Sequence, residues 1–562
     1  MTMKKHFLLF LFIICLSSCQ DYLETDFDGS VDDEMVWSNP KYAEGVLLNA
    51  YHALPNSFAL EDHIFMDCMT DNAVTNDYSS SIFINGNGAW RAENNILGDW
   101  NKYYAQLENI NLWLKYGQTA PYYLSDKGLN TQIVMRLKGE AYFLRAWYTW
   151  QLLQAYGGKV DGVLMGIPLQ TKALENNTDK YEAIERDTYE DCISQIVSDC
   201  NKAIELLPPT YEGTDLVFGE DQTGRANLTA AFALKSRVLL YAASPLFEKE
   251  SWSAAARAAL DAINQKGESL PGIKWGNLDK YYNSQNHNEI ILRKFTRNNS
   301  FFRANFPPSS NGSGRTSPSQ NLAKSFYMAN GYPQDHELSG FDPNKPFEGL
   351  SKRYYASIVH NGMKFKNKSI ETYEGGFDTE QTFVHATRTG HYLRKWMAES
   401  ASTDGLDESV ATHYYALFRQ AELWLNFAEA ANEWVGPDVK LGFGGVTLSA
   451  KDAILEIRNR AGIKDTAYLD EVAAQGKDAF RELIRNERRV ELCFEGHRFW
   501  DLRRWKSDLN SEVNGLQITM NADSSFSYQE VLVEQRNFQD YMYFGPIPFD
   551  EVRKGLRQND GW

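Results

Sequence analysis

Apolar residues recur at three- and four-residue steps through residues 130–156, at Ile133, Leu137, Ala141, Leu144, Tyr148 and Leu152. The run stops at Gly157-Gly158. That period lays one continuous apolar stripe along a helix, and paired glycines are a stop signal. The same pattern spans 187–207, behind a candidate cap at Asp187 and ahead of Pro208-Pro209. It returns over 227–243 and 251–266, joined by a turn containing Pro245, and again over 414–434 and 449–461. A last helix is predicted over 478–495, ending at Gly496, with Glu482/Arg485 and Arg488/Glu491 spaced to pair along its surface. The chain therefore reads as mainly α.

Two stretches break the pattern. Residues 67–100 and 270–413 are rich in Asn, Ser, Gly, Tyr, Phe and Trp and carry few long apolar runs. Long structured loops on a helical scaffold are where ligand sites concentrate. Within the helices, interleaved alanines such as Ala254-Ala255-Ala256 and Ala258-Ala259 allow close helix approach. Pairs of roughly 35 residues built this way resemble tetratricopeptide units. None carries the full repeat signature, and long insertions separate them. The expectation is a scattered set of tetratricopeptide-like helix pairs plus a loop-rich ligand-binding region.

The opening of the chain has another character. Lys4 and Lys5 precede ten apolar residues, Phe7 to Leu16, followed by Ser17-Ser18-Cys19. Ten residues of helix reach only about 15 Å, half of a hydrocarbon core, so residues 1–18 read as an export signal and not a membrane span. The ending resembles a bacterial lipobox, which predicts lipidation of Cys19 and an outer-membrane anchor. Residues 19–36 then form a tether. From Gln20 to Glu34 there are seven acidic residues and no basic ones, a run that stays extended and solvated. At about 3.3 Å per residue, fifteen residues hold a body up to roughly 50 Å from its anchor. The spacing Asp26-x-Asp28-x-Ser30-x-Asp32 resembles a calcium loop, but Gly29 sits at its fourth place and Trp37 at its twelfth, where a bidentate glutamate belongs. Acidic residues just after a lipidated cysteine resemble the surface-export signal of Bacteroidetes lipoproteins, which places the body, residues 37–562 as a single domain, outside the cell.

Charge narrows the partners. The chain carries a formal net charge of −17, and losing the two lysines of residues 1–18 makes it −19. Such a surface repels nucleic acid and anionic lipid, and it mildly disfavours sulfated or uronate-rich ligands. Beyond the anchor, Cys68, Cys192, Cys200 and Cys493 show no metal-type spacing, and Cys192 and Cys200 lie about 12 Å apart along one helix, too far for a disulfide. No cofactor or metal is expected. The 75 Trp, Tyr and Phe residues exceed what a core of this kind needs. Ring faces suit the C–H faces of pyranose sugars, while Asn, Asp and Arg bind hydroxyls in pairs.

The sharpest local signal is IRNERRVELCFEGHRFWDLRRW, which ends at Trp505. Its alternating charges beside bulky aromatics read as a buried ion network with His497 as a structural histidine. An anion site built from Arg485, Arg488 and Arg489 is the alternative reading. The run resembles the hallmark of the SusD/RagB family of outer-membrane nutrient-binding lipoproteins. Other segments agree in order: Gly139-Glu140-Ala141-Tyr142-Phe143-Leu144-Arg145-Ala146 with Tyr156-Gly157-Gly158, Pro318-Ser319-Gln320 running to Asn330-Gly331, and Gly545-Pro546-Ile547-Pro548.

The resemblance implies a SusD-like helical scaffold with four tetratricopeptide-like pairs, no catalysis, and a SusC-like TonB-dependent transporter over which the protein sits as a lid. It also implies sugar contacts from the loop after the first long helix and from the insertion before Pro318. Those regions hold Asp71, Asn72, Tyr78, Trp90, Arg91 and Asn94, then Trp275, Phe301, Phe302, Arg303 and Arg315. Trp90-Arg91 is the strongest single candidate, a stacking ring beside a bidentate donor. Trp100 and Trp113 go to the core with Leu107 and Ile110. The function expected is capture of oligosaccharides for delivery to the transporter. The alternatives are a peptide- or protein-binding relative and a surface glycosidase. The latter needs two carboxylates about 5–10 Å apart, and no GxSxG, HExxH or phosphate-cradling loop supports an enzyme.

Overall fold

The computed structural model describes residues 33–174, 185–275, 287–403 and 411–562. The export signal, Cys19, the calcium-like spacing and the acidic run up to Asp32 lie outside the described residues. The main helices of the first half are α1 (Pro40–His52), α2 (Trp100–Tyr116), α3 (Lys127–Tyr156), α4 (Tyr189–Leu206), α5 (Leu228–Ala243) and α6 (Trp252–Lys266). Side-chain caps set their starts, satisfying N–H groups that have no partner in the first turn. Asp126 accepts from Gly128 and Leu129, Asn227 from Ala230, and Ser251 from Ala254. The cap of α4 is Thr188 rather than the expected Asp187: its hydroxyl accepts from Asp191 N–H, while Asp187 instead receives the N–H of Leu169.

Each of these helices packs on the next, α2 on α3, α3 on α4, α4 on α5 and α5 on α6. Close approach explains the Gly139 motif: a Cβ there would meet the side chains of Leu206 and Leu207 at about 2.9 Å. Arg145 clamps the same interface by donating to both oxygens of Asp199 at 2.7 Å. Trp113, Trp147 and Trp150 are among the largest fully buried side chains, and Trp100, Leu107 and Ile110 are buried beside them.

The second half adds α7 (Gln420–Val435), α8 (Ala450–Arg460), α9 (Lys477–Leu492) and α10 (His497–Arg504). Helix α7 packs on α6, α8 and α9, so the row of helices continues across the long insertion. Strands β1 (Ala73–Thr75), β2 (Ile290–Arg297), β3 (Thr316–Pro318), β4 (Thr412–Arg419), β5 (Glu512–Met520) and β6 (Phe526–Gln535) form the antiparallel pairs β1–β3, β2–β4 and β5–β6. Strand β4 corrects the helix expected over 414–434. The chain stays extended until Arg419, because His413, Tyr414 and Tyr415 pair with Thr296, Phe295 and Lys294 of β2.

The helix expected over 478–495 also ends early, at Leu492. The backbone turns through Cys493 to Gly496, whose left-handed φ of 76° opens α10. This turn redirects the charges. Glu482 and Arg485 pair as expected, at 2.9 Å, but Arg488 reaches Asp501 of α10 at 3.0 Å and not Glu491. Glu491 is engaged elsewhere, by Arg419 at 2.9 Å, by Arg460, and by Arg353 at 3.3 Å. Arg419 also holds Glu289 at 2.7 Å and Glu495 at 2.6 Å, and Lys395 reaches Glu495 at 2.6 Å. Burial opposes ionisation of Glu491, yet the Arg460 and Arg419 guanidinium groups outweigh it and hold the carboxyl well below its ordinary range. The hallmark run is therefore a buried ion network joining β4, α8 and α9. The three arginines of the alternative anion site are spent separately, Arg485 on Glu482, Arg488 on Asp501 and Arg489 on Asp71.

The closing motif is explained by contact as well. A Cβ on Gly545 would lie 2.2 Å from the Ala155 carbonyl oxygen, so only glycine lets this segment pack against the end of α3.

Candidate ligand-binding face

Strands β1 and β3 bring the two predicted ligand regions side by side, with Ala73, Val74 and Thr75 opposite Pro318, Ser317 and Thr316. Ser319 locks the pairing: its hydroxyl donates to the Asp71 carbonyl at 2.6 Å and accepts the N–H of Leu322, capping the short helix that follows. Just beyond β1, the buried amide of Asn76 donates to the Ser313 carbonyl at 2.7 Å and the His385 carbonyl at 2.9 Å. One side chain thus ties three loops together, those around residues 76–79, 313–315 and 385–388.

The surface over this knot combines aromatic rings with paired charges. Tyr78 is 55% exposed, and its ring stands edge-on to Phe83 at 5.1 Å. The Arg388 guanidinium lies 4.8 Å from the Tyr78 ring centre, while it donates to the Thr75 carbonyl at 2.9 Å. Next to Tyr78, Asp77 pairs with Arg315 and accepts from the Ser79 hydroxyl at 2.7 Å. Partial burial opposes the Asp77 charge, but Ser79 and Arg315 outweigh it and lower the carboxyl's pKa. On the neighbouring loop, Phe377 and Phe383 form a second exposed aromatic pair with centroids 4.8 Å apart. A ring held upright by an arginine behind it, flanked by a carboxylate–guanidinium pair, offers a stacking surface and directional hydrogen bonds together.

The model of the SusD family matches residues 278–562, just over half of the chain. The chain belongs to the SusD family. A second family model, described as starch-binding and associating with outer membrane, matches residues 21–240 of this SusD-family chain. Across nearly its whole length the chain is 24% identical to a SusD-like protein of Formosa agariphila, over 91% of this chain and 93% of that one. Among solved structures it is similar to a SusD-like protein from Bacteroides fragilis, with TM-score 0.76, 25% identity, and coverage of 95% and 99% of the two chains. A SusD-like carbohydrate-binding protein from Bacteroides fragilis shares the fold, with TM-score 0.70 and 20% identity over 92% of this chain and 99% of that one.

Within this SusD scaffold, the residues singled out from sequence divide by burial. Tyr78 and Arg315 come together on the exposed face. Arg91 and Arg303 are exposed, but no hydrogen bond, ion pair or ring contact joins either to Tyr78 among the described residues. Asn94 is occupied in a turn, accepting from Arg91 N–H and donating to the Ala89 carbonyl. Trp275 lines a cavity with Ile290, Trp396 and Val490 that shares no residue with the face.

The others turn inward. Trp90 is only 3% exposed, its indole N–H donating to Asn95 at 3.1 Å and its ring set edge-on to Trp562 at 4.8 Å. It is a core residue, which corrects its role as leading sugar platform. Phe301 and Phe302 are buried too, with Phe301 stacked on His413 at 3.8 Å. Asp71 and Asn72 face α9 and α10: Asp71 receives both Arg489 and Arg498, and Asn72 accepts from Arg489 at 2.8 Å. Burial opposes the charge of Asp71, but those two arginines hold its carboxyl well below the usual range. Arg388 beside Tyr78, and Phe377 and Phe383 on the neighbouring loop, were not named from the sequence. Their stretch contains Gly375-Gly376-Phe377, a turn sequence presenting an aromatic, which is the signal that marks it.

Proposed function

We propose that this protein captures oligosaccharides at the cell surface and hands them to a SusC-like TonB-dependent transporter of the outer membrane, without transforming them. The observation that carries this reading is the exposed Tyr78 ring, backed by Arg388 and flanked by the Asp77–Arg315 pair, on a face built by three tied loops. Membership of the SusD family and the carbohydrate-binding relative of the same fold support a sugar as the ligand. Asp77 is held ionised, so it accepts hydrogen bonds from sugar hydroxyls and does not serve as a proton donor for glycoside cleavage. Lipid on Cys19 anchors the chain in the outer membrane, and the acidic tether lets the body swing as a lid over the transporter.

Native gels cast with neutral polysaccharides test the face. At least one polysaccharide retards the wild type, and Tyr78→Ala or Arg315→Ala weakens that binding by about tenfold, the equivalent of ~1.4 kcal/mol. Retardation by none of them, or identical retardation of wild type and both variants, contradicts the assignment.

A further inference from the structure

A second recess lies where α2 and α3 face β4 and the start of α10, roofed by Phe58 and Leu60. Its volume is about 160 Å³, room for about five waters at ~30 Å³ each or for one six-membered sugar ring. Of its aromatic lining residues, Tyr415 and Trp500 are partly exposed, while Phe58 and Trp147 are buried behind them; the Phe58 and Tyr415 rings meet at 4.5 Å. None of its lining residues belongs to the face around Tyr78.

Part of the polar lining of this cleft is unspent, although the Ser57 hydroxyl accepts the N–H of Ala59 at 3.1 Å. Gln151 and Gln154 stand three residues apart on α3, hence on one helix face, and neither side-chain amide has a hydrogen-bond partner among the described residues. The same is true of the Tyr103 and Tyr415 hydroxyls and of both His497 ring nitrogens. The indole N–H of Trp147, 1% exposed, is buried with no acceptor among the described residues. Buried donors and acceptors are normally paired with protein or ordered water, and the partly exposed amides, hydroxyls and imidazole of the cleft are open to water or to a ligand that displaces it. The charges at the rim, by contrast, are already matched. Arg237 grips both oxygens of Glu422 at 2.6 Å, and Glu495 is held by Arg419 and Lys395. Burial lowers the His497 pKa to about 4, so the imidazole is neutral at pH 7 and serves as one donor and one acceptor.

Two partly exposed rings, Tyr415 and Trp500, two amides and two hydroxyls without partners among the described residues, and no unmatched charge make a chemistry that recognises a neutral polyol of pyranose size and rejects ions. We propose that this cleft is a second binding site, taking a single neutral pyranose, separate from the exposed face around Tyr78. Trp147 and Trp500 lie in its wall, so occupancy changes tryptophan fluorescence.

The test is titration of the full mature chain with D-glucose, D-galactose, D-mannose and N-acetylglucosamine, followed by fluorescence and calorimetry. At least one sugar binds saturably, Gln151→Leu/Gln154→Leu weakens it at least tenfold, and Tyr78→Ala leaves it unchanged. Both glutamines are partly exposed, and the single variant Gln151→Leu provides a milder perturbation should the double variant melt early. Three results overturn the proposal: no saturable binding of any of the four sugars, unchanged affinity in the folded glutamine variants, or loss of affinity in Tyr78→Ala. Polysaccharide retardation in the native gel is independent of Gln151 and Gln154, so failure here is distinguishable from failure of the glycan face.

Discussion

Trp90 packs edge-on against Trp562 and Phe499, with the Arg503 guanidinium 5.7 Å from its ring, and its neighbour Asn95 satisfies the indole N–H. Sequence adjacency to Arg91 made it look like a sugar platform, but adjacent residues point in different directions and only one of the two is exposed. Trp90→Ala leaves a large cavity in a packed cluster and costs about 3–5 kcal/mol of stability. Chemical denaturation measures that loss, while polysaccharide affinity stays at the wild-type level. A variant of wild-type stability that binds glycan poorly contradicts the assignment to the core. At this scale the structure brings two of the sequence candidates, Tyr78 and Arg315, to one exposed face; both fall in loops marked by composition. The inward turn of Asp71 and Asn72 was not legible, since it depends on Arg489 and Arg498 more than 400 positions further along the chain.

At the scale of elements, a 3.6-residue apolar period and strong caps made α3, α4, α5 and α6 readable almost to the residue. Strand β4 was not readable, because Tyr414, Leu417, Phe418, Ala421 and Trp424 continue a helical spacing from the strand straight into α7. What keeps 412–419 extended is its pairing with β2, over 100 residues earlier, together with the Arg419 side chain reaching Glu289, Glu491 and Glu495. Glu491 is the hub of that cluster, and its charge is matched by guanidinium groups from separate elements. Glu491→Gln strands those buried cations and destabilises by about 3–5 kcal/mol. Glu482→Gln, which removes a solvent-exposed partner of Arg485 on the same helix, costs about 0–1 kcal/mol. Urea unfolding of the two variants side by side checks the difference, and equal losses contradict a hub role for Glu491.

Across the whole molecule, the hallmark segments build scaffold and position the loops that carry the proposed glycan face. Gly139 and Arg145 seat α3 on α4, Gly545 seats the closing segment on α3, and the Pro318-Ser319-Gln320 segment fastens β3 beside β1. Family membership was therefore readable from the sequence, while the ligand face required the fold, because Asn76, Ser313 and His385 meet only in three dimensions. The central claim is that this face binds sugar. Its most direct measurement is calorimetric titration of the mature chain with neutral oligosaccharides and, separately, with extended peptides of matched length. The account predicts saturable binding of at least one oligosaccharide, weakened about tenfold in Tyr78→Ala, and no binding of the peptides. Firm peptide binding with no response to any oligosaccharide would contradict it.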